Sequence, residues 1–457
     1  MNKLKTISFD YNKSSFSQFK DDFYERFEDL SVFNCNTINL LKVVLDGLKV
    51  NYLSKGKFNP YWFNSTHRLK RFINRFSSSK VFHLPKVDVL LVDPGRWIED
   101  AVGKKKSVFF SRFNEQLEGK KISKYTIQLS GTKIDSSDIH FEDLIEMEKR
   151  SLNPTQKKHR KDLNSFLENL GKKLNRYDCN NVRCAIHKYF REYIIWSAIL
   201  DECNPKLIWF ICHYHNEGLI HAAKERNIKI CELQHGLISK ADIFYLFPRQ
   251  VESIRDYALF PDEIWTFGKY WADLLNEFGN EFSKHKIKVG GYYLMEQDNS
   301  TDSDLMALKQ QFDKIFVVAT QTKLFSIFIQ YIQSVYSELE KINGLMLIKL
   351  HPNDAENNYG ILRSLPNIKI IRDKTLSQLL PISDYHITIY STTIFDAIRL
   401  GFHQNFCLEV CSHIEYVNQI IALGIADVLS IGKLPDKYRH SNIHSDWFYA
   451  PMNLPLG

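Results

Sequence analysis

From position 207 onward, apolar runs of strand length alternate with segments whose apolar residues recur at helical spacing. That pattern is accommodated by a parallel α/β sheet covered by helices. The expected strands are 207–211, 228–233, 263–267 and a short one at 286–289, then 315–319, 345–350, 368–371, 386–390 and 405–408. Gly290-Gly291 and the acidic, polar stretch 296–304 interrupt the series as a hinge would. Upstream, 87–92 is the first convincing buried strand. It is followed by strand candidates at 107–110 and 125–129, a polar helical region at 141–174 and an apolar helix at 186–200. Helical-length segments at 16–30 and 38–50 and an aromatic loop, Asn59-Pro60-Tyr61-Trp62-Phe63, precede them. A chain of 457 residues is too long for one ordinary core. The expected architecture is therefore α/β, with two Rossmann-like domains facing a cleft. Residues 1–290 form the first domain, 291–304 the hinge, 305–430 a second domain with a five-stranded parallel sheet, and 431–457 a segment returning across the hinge.

Open parallel sheets bind ligands at the carboxyl ends of their strands, so the polar residues that end the runs are the candidates for chemistry. The run 345–350 stops at His351-Pro352, where Pro352 removes a backbone donor. The run 386–390 is followed by Ser391 and Thr392, and then by Ile394, Ala397, Ile398 and Leu400 at helical spacing. Those hydroxyls are expected at a helix N-terminus, where free N–H groups and the helix dipole attract phosphate. The plain alternative makes Ser391 an N-cap and His351 a loop residue. Thr320 closes the strand 315–319 and offers a further hydroxyl. Asp396 and Asp384 are candidates for ribose hydroxyls or for capping. Lys349 should point to the sheet face opposite His351.

In the first domain, Gln234-His235-Gly236 ends a strand, with Gly236 expected to let the chain turn sharply. Histidine suits a general base because its ordinary pKa is near neutral. A turn histidine bonded to backbone is the alternative. Asp93, ending the run 87–92, is the rival base, unless Arg96 pairs with it and makes it structural.

A His-Pro pair followed about forty positions later by a Ser-Thr pair opening a helix resembles bacterial glycosyltransferases of GT-B fold that use CMP-activated sugars. These are the sialyl-, polysialyl- and Kdo transferases of capsule and lipopolysaccharide synthesis. The pattern is also similar to the CDP-glycerol glycerophosphotransferases of teichoic-acid synthesis. The resemblance covers about residues 205–410 and implies that His351, Ser391 and Thr392 bind the donor phosphate; Pro352, Thr320 and Asp396 are further candidates for the donor site on position alone. His235 would match the glycerophosphotransferase His-Gly base. Asp93 would match the acidic base of sialyltransferases, although Asp93-Pro94-Gly95 keeps one carboxylate of their acidic-acidic-Gly motif. The implied activity is inverting transfer of a sugar, a nonulosonic acid or Kdo from a CMP-sugar, to a surface-polysaccharide acceptor that is a glycan or a lipid-linked glycan. No metal or other cofactor is required. The rival readings are a CDP-polyol phosphotransferase, a nucleotide-sugar epimerase and a non-catalytic glycan-assembly subunit. Composition does not separate donors, acceptors or linkages.

The formal charge of +7 is unevenly placed, with Lys104-Lys105-Lys106, Lys120-Lys121, Lys157-Lys158-His159-Arg160-Lys161 and Lys172-Lys173 all between positions 100 and 175. No nucleic-acid-binding module accompanies these clusters, so no nucleic-acid partner is expected. Solvated helix faces are the ordinary explanation. Peripheral contact with an anionic membrane is the functional one. No apolar run reaches the roughly 18–20 residues of a membrane span, and the N-terminus lacks the apolar core of a secretory signal. The expected location is the cytoplasm, at the inner face of the membrane. Eight scattered cysteines suit buried free thiols. Neither Cys407 and Cys411 with His403 and His413, nor Asp302-Ser303-Asp304, has the placement of a metal site.

Overall fold

The structure is a computed structural model. It describes residues 23–24, 27, 30–35, 38–53, 83–99, 103–129, 138–144, 152–240, 242, 244–245, 259–278, 286–292, 303–321, 324–351, 354–409, 414–436 and 445–452. The aromatic loop at 59–63, Pro352, Asp302, Cys411, His413 and most of the helical segment expected at 16–30 lie outside the described residues.

Two parallel sheets organise the chain. The first contains β1 (Val89–Asp93), β2 (Lys124–Gln128), β3 (Ile139–His140), β4 (Leu207–Ile211), β5 (Lys229–Leu233), β6 (Glu263–Thr266) and β7 (Ile287–Val289) in the order β7-β6-β5-β4-β1-β2-β3. The second contains β8 (Lys314–Ala319), β9 (Gly344–Lys349), β10 (Ile368–Ile371), β11 (Tyr385–Thr388), β12 (Asn405–Leu408) and β13 (Asp427–Leu429) in the order β10-β9-β8-β11-β12-β13. Every pairing in both sheets is parallel. Helices on both faces bury the central strands, so they read as unbroken apolar runs: all five residues of β1 and the first five of β9 are buried.

Two expectations are corrected. The second sheet has six strands, not five. The sixth, β13, is a three-residue edge strand whose Asp427 and Val428 are exposed, so it leaves no apolar run. Residues 107–110 do not form one strand. Lys105–Ser107 pairs antiparallel with Trp97–Glu99. The Ser107 hydroxyl then accepts the N–H groups of Phe109 and Phe110 at 3.2 and 3.0 Å and turns the chain into the helix Ser111–Gly119. Phe109, Phe110 and Phe113 are buried at helical spacing rather than alternating.

The expected apolar helix at 186–200 is the middle of a longer one, Arg176–Cys203. The Asn175 side chain caps its start by accepting from Tyr177 and Asp178, and Asn204 ends it in the left-handed conformation. The polar region before it divides into a single turn, Phe141–Leu144, and the helix Pro154–Gly171, opened by a capping box at Asn153 and Gln156. Seven cysteines fall among the described residues and all are free thiols.

Among the described residues, contacts between the lobes include Trp271 against Phe395, with ring centroids 4.9 Å apart. Gln419, on the helix Ile414–Ala422, donates to the Ile238 carbonyl at 3.1 Å and to Tyr270 Oη at 2.9 Å, and accepts the Lys240 N–H at 3.0 Å. A C-terminal strap runs along the end of the first sheet: Ala450 donates to the Phe267 carbonyl at 2.9 Å and accepts from the Tyr292 N–H at 2.7 Å. Gly291 makes this approach possible, because its φ of +80° suits glycine and an added Cβ would lie 2.0 Å from the Pro451 carbonyl oxygen.

Candidate functional site

Each sheet has one point where its strand order reverses. In the first it lies between β1 and β4, in the second between β8 and β11. Crevices at such points are where open α/β sheets take ligands. The residues just past β1, β5, β8, β9 and β11 are those singled out by their sequence.

His235 lies two residues beyond β5. Its Nε2 is 3.1 Å from the Tyr214 hydroxyl, while its buried Nδ1 has no hydrogen-bond partner among the described residues. Burial lowers its pKa to about 4; the Glu232 carboxylate resists that shift and the Arg96 charge adds to it. The imidazole is therefore neutral at pH 7 and needs more tuning as a base than an ordinary histidine. Glu232 is itself engaged, holding His213 Nδ1 at 2.6 Å and accepting the Tyr245 hydroxyl at 2.5 Å. The conformational freedom expected of Gly236 is not used: its φ is not positive and an added Cβ would meet nothing within 4 Å.

Asp93 ends β1 and is only 1% exposed. One carboxylate oxygen accepts the Gly95 N–H at 2.7 Å and the other accepts the Ser107 hydroxyl. Burial pushes its pKa up to about 6 against those two hydrogen bonds. The order of pKa values is thus the reverse of that assumed from residue type, yet both Asp93 oxygens already serve the loop. The alternative in which Arg96 pairs with Asp93 is not realised, and Arg96 is exposed with no ion pair among the described residues.

In the second lobe, His351 lies two residues beyond β9. Its backbone N–H donates to the Thr320 hydroxyl at 2.9 Å, and that hydroxyl donates to Asp354 at 2.8 Å. Thr320 is 4% exposed, so it braces the His351 turn from beneath. Burial lowers the His351 pKa, and the Arg96 charge lowers it further against Asp354. Ser391 and Thr392 are partly exposed where β11 leads into the helix Thr393–Arg399; the Ser391 hydroxyl accepts the Thr393 N–H at 3.3 Å and Thr392 makes no side-chain cap. With seven residues this helix carries a small dipole, which leaves the side chains the larger share of any anion binding. Gln321, which the sequence did not single out, spans the switch point by accepting the Tyr390 N–H at 3.0 Å.

Asp396 is engaged by the C-terminal strap. Burial pushes its pKa up to about 6, opposed by Arg399 and by a hydrogen bond from Tyr449 of the strap. Asp384 lies at the amino end of β11, where it accepts from the Ile315 N–H at 2.8 Å, on the far edge of the sheet from His351. Lys349 donates to the carbonyls of Leu350 and Arg372. No group of three or more His, Cys, Asp or Glu among the described residues could hold a metal ion.

No protein-family model matches the sequence, and no curated protein matches it. Among solved structures the chain is similar to MnaA of S. aureus in complex with UDP, at 12% identity over 76% of this chain and 84% of that one, with a TM-score of 0.47. It is similar to the UDP-GlcNAc 2-epimerase of Neisseria meningitidis bound to UDP-GlcNAc, at 13% identity over 75% and 87%, with a TM-score of 0.43. It is also similar to the glycosyltransferase SnogD of Streptomyces nogalater, at 13% identity over 76% and 88%, with a TM-score of 0.44. Likenesses of this size assign no activity. The two-lobed α/β architecture rests on the strand orders described above.

Proposed function

We propose that this chain is a nucleotide-sugar-dependent glycosyltransferase, with acceptor bound by the lobe within residues 1–290 and donor by the lobe within 305–430. The observation that carries the reading is the pairing of His235 and His351, each just past a central strand of its own sheet and both in the field of Arg96. His351, Pro352, Ser391 and Thr392 are assigned to the donor phosphate, with a CMP-sugar as the preferred donor.

His235 is assigned as the base. Its neutral state at pH 7 leaves a lone pair to accept the acceptor hydroxyl proton, and a bound phosphate would raise its pKa toward the working range. The acceptor oxygen forms its bond to the anomeric carbon as the bond from that carbon to the phosphate oxygen breaks. The nucleotide departs with the electron pair, and the product is inverted. His351, held low in pKa by burial and the Arg96 charge, gains affinity for a proton beside a phosphate and can donate to it. Asp93 is assigned a positioning role because both of its oxygens hold the following loop. Asp396 is assigned to the strap through Tyr449.

The test is release of nucleotide from CMP-, CDP-, UDP- and GDP-linked donors with and without glycan acceptors. Acceptor-dependent release that falls about 10²–10⁴-fold in His235→Ala, with nucleotide affinity kept, supports the assignment. Interconversion of the free nucleotide sugar without acceptor replaces it with an epimerase, and turnover of CDP-polyols alone replaces it with a polyol-phosphate transferase. Nucleotide binding without any turnover makes the chain a glycan-assembly subunit.

A further inference from the structure

Arg96 lies three residues past the end of β1, at the point where the first sheet reverses its strand order. Its main chain is fixed on both sides. Gly95 adopts φ +87°, a conformation favouring glycine, and its N–H is held by Asp93; the Arg96 carbonyl accepts the Val108 N–H at 3.0 Å; and Trp97–Glu99 pairs with Lys105–Ser107. The side chain on this fixed backbone is exposed and makes no ion pair among the described residues, with Asp93, three residues before it, committed to the loop.

The surroundings leave that charge uncompensated. Arg96 and His235 both follow the carboxyl ends of parallel strands on the same edge of the first sheet, and the Arg96 charge lowers the pKa of His235 and of His351 in the second lobe. The carboxylates closest to those histidines are engaged elsewhere: Glu232 with His213 and Tyr245, Asp354 with Thr320 and Tyr359. A guanidinium held by its backbone but free at its tip presents a planar fork of donors that fits phosphate oxygens in pairs, as an ammonium does not.

We infer that Arg96 is a ligand-contacting residue, the first lobe's own hold on the phosphate of the nucleotide, so that a bound phosphate ties the two lobes together. This rests on the nucleotide-sugar reading above. The role of Asp93 follows: it binds no substrate but fixes the turn from which Arg96 extends.

The experiment is calorimetric titration of the full chain with CMP, CDP, UDP and GDP, and with the nucleoside of whichever binds best. If the wild-type chain binds none of the four, the nucleotide-sugar reading itself fails. If it binds, Arg96→Ala is expected to lose about ten- to hundredfold in nucleotide affinity while nucleoside affinity stays unchanged, and Arg96→Lys to recover part of the loss. Unchanged nucleotide affinity in a folded Arg96→Ala chain overturns the inference. So does an equal loss for nucleotide and nucleoside, which would mean a collapsed loop. A second readout tests the placement without ligand: removing the cation should raise the midpoint of the His351 imidazole titration followed by NMR, and an unmoved midpoint also overturns it.

Discussion

The Ser107 hydroxyl donates to the buried carboxylate of Asp93, and the other Asp93 oxygen accepts the N–H of Gly95 at 2.7 Å. This bond joins the end of a central strand to the antiparallel ladder that follows it. Ser107→Ala removes a partner from the charged form of a buried acid and should cost about 1–3 kcal/mol in urea unfolding at pH 8. Asp93 has its pKa pushed up to about 6, so at pH 5 the carboxyl is mostly neutral and the loss should be smaller. Equal losses at the two pH values would contradict this account of the bond.

Acid stability should depend on buried histidines. Burial lowers the pKa of His386 to about 4 at β11, where Nδ1 is 2.8 Å from Asn405 Oδ1 and Nε2 has no partner among the described residues. Unfolded histidine titrates near 6.5, so the unfolded chain takes this proton first. The stability contributed is complete above about pH 6.5 and is lost as pH falls toward 4, on the order of 3 kcal/mol for one such group. Asp93 and Asp396, pushed up to about 6, and Glu192, pushed up to about 7, act in the opposite sense because the folded chain protonates them first. The contribution of His386 is therefore read as a difference: His386→Asn should flatten the fall in unfolding free energy between pH 6.5 and 4 relative to wild type. Identical slopes would show that the imidazole is not held neutral.

The basic surface gives a third expectation. On the helix Pro154–Gly171, Lys157, Lys158, Arg160 and Lys161 are all exposed, and the sequence expectation of contact with an anionic membrane is tested on them. At about 1 kcal/mol per basic residue near such a surface, replacing all four with alanine should lower sedimentation with phosphatidylserine vesicles by up to about a thousandfold. Added salt should release the wild-type chain. Equal sedimentation of wild type and variant would remove this helix from any membrane contact. Among the described residues no helix is long and apolar enough to cross a membrane.

The central strands were legible because parallel strands buried on both faces leave unbroken apolar runs; Leu207–Ile211 falls where the sequence placed it. The strand Asp427–Leu429 was not, since an edge strand with exposed residues carries no such signal. Within the candidate site, the strand-end positions of His235, His351 and Ser391 could be read from the order of residues. The state of their side chains could not. Burial, which has no signature in a short motif, sets His235 low and Asp93 high. Arg96 was passed over because a carboxylate three residues away suggested an ion pair. The Gly95 turn and the Ser107 hydroxyl, fourteen residues from Asp93, take that carboxylate instead.

The most direct test of the account is nucleotide-dependent thermal stabilisation of the wild-type, His351→Ala and Ser391→Ala chains with CMP, CDP, UDP and GDP. A ligand at about 100 times its dissociation constant adds roughly 2.7 kcal/mol to the folded state. At least one of the four should stabilise the wild-type chain by an amount of this order, with CMP or CDP preferred. Both variants should remain folded and need about ten- to hundredfold more nucleotide for the same shift, the loss expected for a charge-assisted phosphate contact. Stabilisation of all three chains to the same extent at every concentration would contradict the placement of the donor phosphate at His351 and Ser391.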